Sequence, residues 1–136
     1  MACWLVKSDP ETYGFADLER DRKTVWDGVS NALALQHLRK VRRGDSVLVY
    51  HSGSEKAIVG LAKAASDAYP DPKAGDEKLV VFEIQAVKRL KKPVVLSEIK
   101  ADPEFSKFEL VRMSRLSVMP VSSALYTRLT RMGGEA

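Results

Sequence analysis

The chain has 136 residues and a mass of 15.1 kDa, with 45% apolar and 29% charged side chains and a formal net charge of +4. That size and mixture suit one domain, residues 1–136, whose core needs no disulfide or metal. They exclude a disordered polyelectrolyte, and no apolar run approaches the roughly 20 residues a membrane span requires. A lone cysteine, Cys3, and an N-terminus without a basic n-region exclude a disulfide scaffold and a secretory signal, so a soluble, cytoplasmic, monomeric protein is expected.

In chain order, Cys3-Trp4-Leu5-Val6-Lys7 predicts a first strand, stopped by the turn-rich Ser8-Asp9-Pro10. Gly14 to Glu19 suits a short helical turn. Thr24 to Asn31 reads as a polar loop leading into a helix over Ala32–Lys40, which Asn31 is well placed to cap and Gly44-Asp45 follows as a break. Ser46–His51 and Ala57–Ala62 are β-rich, and Ser52-Gly53-Ser54-Glu55 joins them as a hairpin. The two prolines of Tyr69-Pro70-Asp71-Pro72 argue for a loop without regular pairing. Leu79–Leu90 is the longest strand expected. Ser97 is read as the cap of a helix ending near Asp102-Pro103, Leu116–Val121 as another strand, and Ser122 as the cap of a last helix. In that helix Leu125, Leu129 and Met132 share a face and Gly133 closes the end. The elements do not alternate as strand–helix–strand, so a doubly wound sheet is disfavoured. A mixed α+β fold is expected, built on a closed or nearly closed β-barrel of five or six strands with short flanking helices.

Charge is unevenly distributed. Residues 1–85 balance to −1 and residues 86–136 to +5, so a polyanionic partner is compatible with the C-terminal third.

Motifs for catalysis are sparse. His37 and His51 have no cysteine or carboxylate at metal-ligand spacing, so neither a metal nor another cofactor is expected. Ser52 follows His51 directly, but neighbours on a strand point to opposite faces, and no Gly-x-Ser-x-Gly elbow is present. Neither a dinucleotide fingerprint nor a P-loop occurs. Cys3 lies among apolar residues, where an inert thiol is the commoner outcome. No catalytic residue is assigned, and the chain is read as non-enzymatic.

What remains is a set of polar and aromatic residues at the margins of the β elements: Lys7, Ser8, Trp26, Asn31, His51, Ser52, Arg115 and Ser117. An indole is a good stacking platform for a flat base, and a primary amide carries the donor and acceptor that reading a base edge requires. Trp26 could equally plug one end of the barrel, and Asn31 could do no more than cap its helix. On residue chemistry alone those structural roles stand ahead.

These segments resemble the EVE domain family, part of the PUA-like superfamily. The resemblance lies in Trp4-Leu5-Val6-Lys7-Ser8-Asp9-Pro10, Trp26-Asp27-Gly28-Val29-Ser30-Asn31, and Gly44-Asp45 followed by Tyr50-His51-Ser52. It continues through Ile58-Val59-Gly60, Tyr69-Pro70-Asp71-Pro72 and Arg115-Leu116-Ser117-Val118-Met119-Pro120-Val121, in the family's order over nearly the whole chain. Two positions depart from it. Asp9 stands where the family usually has Glu, and Ser30 where it usually has Arg, which removes a guanidinium able to meet a phosphate.

The resemblance implies a PUA-like β-barrel with a pocket for a single nucleobase, and reverses the order of the two readings of Trp26 and Asn31. It implies stacking by Trp26, edge reading by Asn31, and polar contacts from Lys7, Ser8, His51 and Ser52. Gly28, Val29, Arg115, Leu116 and Ser117 would line or support the pocket, although Arg115 could instead form a structural ion pair. The implied partner is a nucleic acid carrying a modified base, with modified cytosine in DNA ahead of RNA. The alternatives are a PUA-like domain that binds structured RNA through its basic surface, and an enzyme acting on a nucleotide-like small molecule. Modification-dependent binding marks the first reading, steep salt dependence without it marks the second, and turnover marks the third.

Overall fold

Seven stretches form strands in the computed structural model, which describes residues 1–135: β1 (Cys3–Ser8), β2 (Lys23–Trp26), β3 (Ser46–His51), β4 (Ala57–Ala64), β5 (Tyr69–Pro70), β6 (Val80–Val95) and β7 (Val118–Val121). Their order across the sheet is β2-β6-β4-β3-β1-β7, with β5 added to β6. Only β1 and β3 run parallel, with Lys7 opposite Tyr50 and Ser8 opposite His51. The stretch between them holds α1 (Pro10–Tyr13), α2 (Phe15–Asp21), β2 and α3 (Ala32–Leu38), the long crossover that a parallel pair requires.

This is the expected mixed α+β architecture, but the strands number seven and the sheet does not close. Among the described residues no ladder joins β2 to β7. Two short strands were hidden in the sequence. Thr24–Trp26 was expected in a polar loop, yet Thr24-Val25-Trp26 has strong β character, and Lys23–Trp26 pairs with Phe82–Gln85 once β6 is beside it. Tyr69–Pro70 pairs with Val81–Val80 despite its proline, because a two-residue edge strand needs no N–H there. The strand β6 also runs to Val95, beyond the expected end at Leu90.

The caps follow local chemistry. Asp9, expected in a plain turn, starts α1: its Oδ1 accepts from the Glu11 N–H at 2.9 Å, with Pro10 at the first helical position. Asn31 Oδ1 accepts from Ala34 N–H at 3.0 Å and Ser122 Oγ from Leu125 N–H at 3.2 Å, capping α3 and the last helix as expected. Between β6 and β7 lie α4 (Leu96–Ala101), a single 3-10 turn over Pro103–Phe105, and α5 (Glu109–Arg112). The helix α4 begins at Leu96 without a side-chain cap, so Ser97 lies inside it rather than before it. The last helix, α6 (Ser123–Met132), buries Leu129 and half-buries Leu125 and Met132. No helix among the described residues is long and apolar enough to cross a membrane.

The core lies between the curved sheet and these helices, filled by Phe15, Phe82, Phe105, Leu48 and Ile58. Register shifts on both sides of Gly60 bend β4 over Phe15. A Cβ at Gly60 would stand 2.3 Å from the Phe15 ring, so only glycine admits this packing. Asp45, in the expected break, is buried as a knot: it accepts from Trp4 Nε1–H and Arg42 N–H, each at 2.9 Å, and from Ala2 N–H at 3.3 Å. Three donors satisfy the carboxylate without a cation beside it.

Candidate functional site

The place where the sheet fails to close is a cleft of about 540 Å³. One wall is β2 and the turn after it, with Thr24, Val25, Trp26, Asp27, Gly28 and Val29. The facing wall is the end of β1, Lys7 and Ser8, with Ser117 ahead of β7, and α1 adds Thr12 and Tyr13. Gly28 takes φ +77°, a left-handed conformation that turns the chain away from the sheet at the end of β2. The structure thus brings together six of the residues singled out from the sequence: Lys7, Ser8, Trp26, Gly28, Val29 and Ser117.

Trp26 is only 8% exposed and belongs to the core cluster while it also lines the cleft. It ends a strand rather than standing in a polar loop, so it fills the end of the sheet and presents part of its ring to the cleft. Lys7 is half-buried: its Nζ donates to the Ser114 carbonyl at 2.9 Å and sits 5.5 Å above the Tyr50 ring. Burial pushes its ammonium below the ordinary lysine pKa. Ser8 Oγ donates to the Tyr13 carbonyl and tethers α1 to β1. Tyr13 donates its hydroxyl hydrogen to Asp21 Oδ2 at 2.8 Å, and burial, aided by that bond, pushes its phenol up. Asp9, Thr12, Tyr13, Thr24, Val25 and Asp27 also line the cleft and were not read as site residues. Thr24, Val25 and Asp27 adjoin Trp26 in sequence, whereas nothing local to Thr12 or Tyr13 indicates that α1 folds back over the end of β1.

Five expected pocket residues lie elsewhere. Asn31, Arg115 and Leu116 line a separate, shallower depression with Leu33, Arg112, Met113 and Ser114. Asn31 uses its carbonyl oxygen as the α3 cap, so the capping role is real, and its NH₂ group has no partner among the described residues. Arg115 is exposed and forms no ion pair among the described residues. Ser52 is tied to Ser8, whose carbonyl accepts from the Ser52 N–H at 2.9 Å and from its hydroxyl at 3.3 Å.

His51 is 6% exposed and lies outside the cleft. Phe15 N–H donates to its Nε2 at 2.9 Å, so Nε2 must be the bare nitrogen and Nδ1 carries the hydrogen given to Glu55 Oε1 at 2.7 Å. Nε2 anchors the start of α2 on β3, and Nδ1 holds Glu55 in the turn after β3, so both ring nitrogens are engaged within the fold. His51→Ala should therefore lower stability by about 1–3 kcal/mol through the orphaned Phe15 N–H. Chemical denaturation would show this, and ligand affinity per folded molecule should be unaltered.

Several of the basic residues are engaged within the fold. Arg39 and Arg43 donate to the carbonyls of Lys78 and Ala65, Lys88 pairs with Glu135, Arg89 with Glu19, and Arg128 with Asp102. Among the described residues no group of three or more histidine, cysteine or carboxylate side chains comes together to hold a metal.

The comparisons agree on one family. The model of the EVE domain matches residues 2–132. A Rhodopseudomonas palustris protein solved by NMR superposes with a TM-score of 0.93 at 40% identity, covering 98% of this chain and 94% of that one. Human thymocyte nuclear protein 1 is 29% identical over 88% of this chain and 68% of its own length. Human THYN1, solved in complex with DNA containing 5-methylcytosine, superposes with a TM-score of 0.88 at 26% identity, covering 100% of this chain and 99% of that one.

Proposed function

The chain belongs to the EVE domain family, and from that premise we propose that it is a non-enzymatic nucleic-acid-binding module that reads a modified nucleobase, foremost a modified cytosine in DNA. The observation that carries this reading is the cleft itself: a gap with room for a base at the end of an open sheet, walled by two aromatic residues, one half-buried ammonium and several hydroxyls. Trp26 and Tyr13 supply the aromatic surface on which a flat base would stack. Lys7 attracts a carbonyl or phosphate oxygen, Ser8, Thr24 and Ser117 supply short-range polar contacts, and Val29 gives an apolar contact for an added methyl group. A base reaches such a cleft only after leaving the helical stack. The likeness to the human protein solved on 5-methylcytosine DNA supports the choice of ligand.

Fluorescence anisotropy on one DNA sequence with cytosine or 5-methylcytosine at a single position tests the reading. The methylated strand should bind at least about tenfold more tightly, the discrimination a methyl group affords in an apolar contact. Equal affinity with a steep salt slope would overturn it in favour of binding through the backbone alone.

A further inference from the structure

The free edge of β2 leaves a main-chain donor and acceptor unpaired at a residue that lines the cleft. Ala86 N–H donates to the Arg22 carbonyl at 2.9 Å, and this pair directly precedes Lys23 opposite Gln85 in the ladder. Antiparallel pairs that exchange hydrogen bonds alternate with pairs that do not. Thr24 with Ile84 and Trp26 with Phe82 are thus the bonded pairs, and Val25 with Glu83 is not. The β6 side agrees: Glu83 N–H donates to Ser66 Oγ at 3.0 Å and its carbonyl accepts from Ala65 N–H at 2.7 Å. Both groups of Glu83 are therefore spent on the side away from β2. The N–H and C=O of Val25 point the opposite way, off the sheet edge, at a residue that is 44% exposed and lines the cleft.

We propose that the main-chain N–H and C=O of Val25 read the Watson–Crick edge of the bound base. This inference rests on the base-reading function and names which edge of the base is held. The edge of β2 is too short for a partner strand. Arg22 at φ 66° and Gly28 at φ 77° turn the chain at either end of a four-residue strand, and Lys7, Ser8 and Ser117 close the space in front of it. What fits is a flat group that presents one acceptor beside one donor. Cytosine does so with N3 and its 4-amino group, and adenine with N1 and its 6-amino group. Main-chain reading of this kind selects a base that is unpaired, and it is indifferent to a substituent at the cytosine 5-position. Identity and modification are then left to the side chains.

The test uses the full chain with single-stranded oligonucleotides that carry cytosine, 5-methylcytosine or 3-methylcytosine at one position. Methylation at N3 removes the acceptor that Val25 N–H would meet, so the 3-methylcytosine strand should bind at least tenfold more weakly than the 5-methylcytosine strand. Val25→Pro removes the N–H at an edge position where no ladder bond is lost, and should bind the 5-methylcytosine strand at least tenfold more weakly than Val25→Ala. Amide exchange on the unsubstituted protein decides the matter even if the proline variant fails to fold. The Val25 amide should exchange freely without ligand, beside protected Thr24 and Trp26 amides, and should slow at least tenfold when saturated with the 5-methylcytosine strand. A Val25 amide already protected in the free protein, or not slowed in the complex, overturns the proposal. Equal affinity of the proline and alanine variants also overturns it. If the unsubstituted protein distinguishes 5-methylcytosine from cytosine while these tests fail, only the main-chain role falls. If it does not distinguish them, the base-reading function falls first.

Discussion

Replacing Trp26 with alanine should cost about 3–5 kcal/mol of stability and weaken oligonucleotide binding about ten- to a hundredfold. The stability loss follows from burial: the indole is 8% exposed and packs in the core at the end of β2, where truncation leaves a cavity. That is a large part of the roughly 5–15 kcal/mol that holds a domain together. The binding loss follows from stacking, worth about 1–3 kcal/mol per base on an aromatic ring. Trp26→Phe keeps a smaller ring in the same place, so it should lose less stability and retain part of the affinity. Urea denaturation and anisotropy on the same preparations separate the two effects, with binding measured under conditions where each variant is folded. A Trp26→Ala protein that is folded and binds undiminished would leave the indole as core alone.

Lys7 should show the opposite balance. Its ammonium is half-buried without a carboxylate among the described residues to pair with it, and burial lowers its pKa. Because the native value lies below the unfolded one, the charged form costs stability at every pH under the native pKa. That cost is relieved as the pH rises from the native value to the ordinary lysine value, so stability should increase across that window. A ligand oxygen bound to the ammonium favours the charged form, so affinity should fall as the pH rises into the same window. Lys7→Met keeps the aliphatic stem and removes the charge. Its stability should equal or exceed that of the unsubstituted protein, while oligonucleotide binding weakens about ten- to a hundredfold, as expected for a charge-assisted hydrogen bond of about 1.5–3 kcal/mol. Where the ammonium meets a phosphate, the salt slope should also become shallower by about one. A Lys7→Met protein that is destabilised yet binds normally would reduce Lys7 to a scaffold residue.

Much of the fold was legible because its causes are local. The apolar runs of β1, β3 and β4 carry their own strand character, and the caps Asn31 and Ser122 act within three residues of themselves. Ala32–Leu38 is built from helix formers, and the order of motifs along the chain pointed to the right family without reference to any contact. Lys7, Ser8, Trp26 and Ser117 could be singled out because they are polar or aromatic residues at the margins of strands, a pattern that needs no partner to be seen.

The rest depends on what lies far away in sequence. Lys23–Trp26 becomes a strand only because Phe82–Gln85 arrives beside it, and the cleft exists only because β2 and β7 end the sheet without meeting. His51 and Asn31 were eligible to bind a base by chemistry. Distant Phe15 N–H takes up one nitrogen of His51, and tertiary placement puts Asn31 in a different depression from Trp26. Val25, an aliphatic residue with nothing to mark it in the sequence, gains its candidate role from the phase of a hydrogen-bond ladder some 60 residues away. Side-chain type and spacing by themselves determined most of the elements, β2 and β5 excepted, and which side chains could do chemistry. Which of those residues face one another was decided by long-range pairing, since only a closed set of backbone hydrogen bonds fixes where an edge is left open.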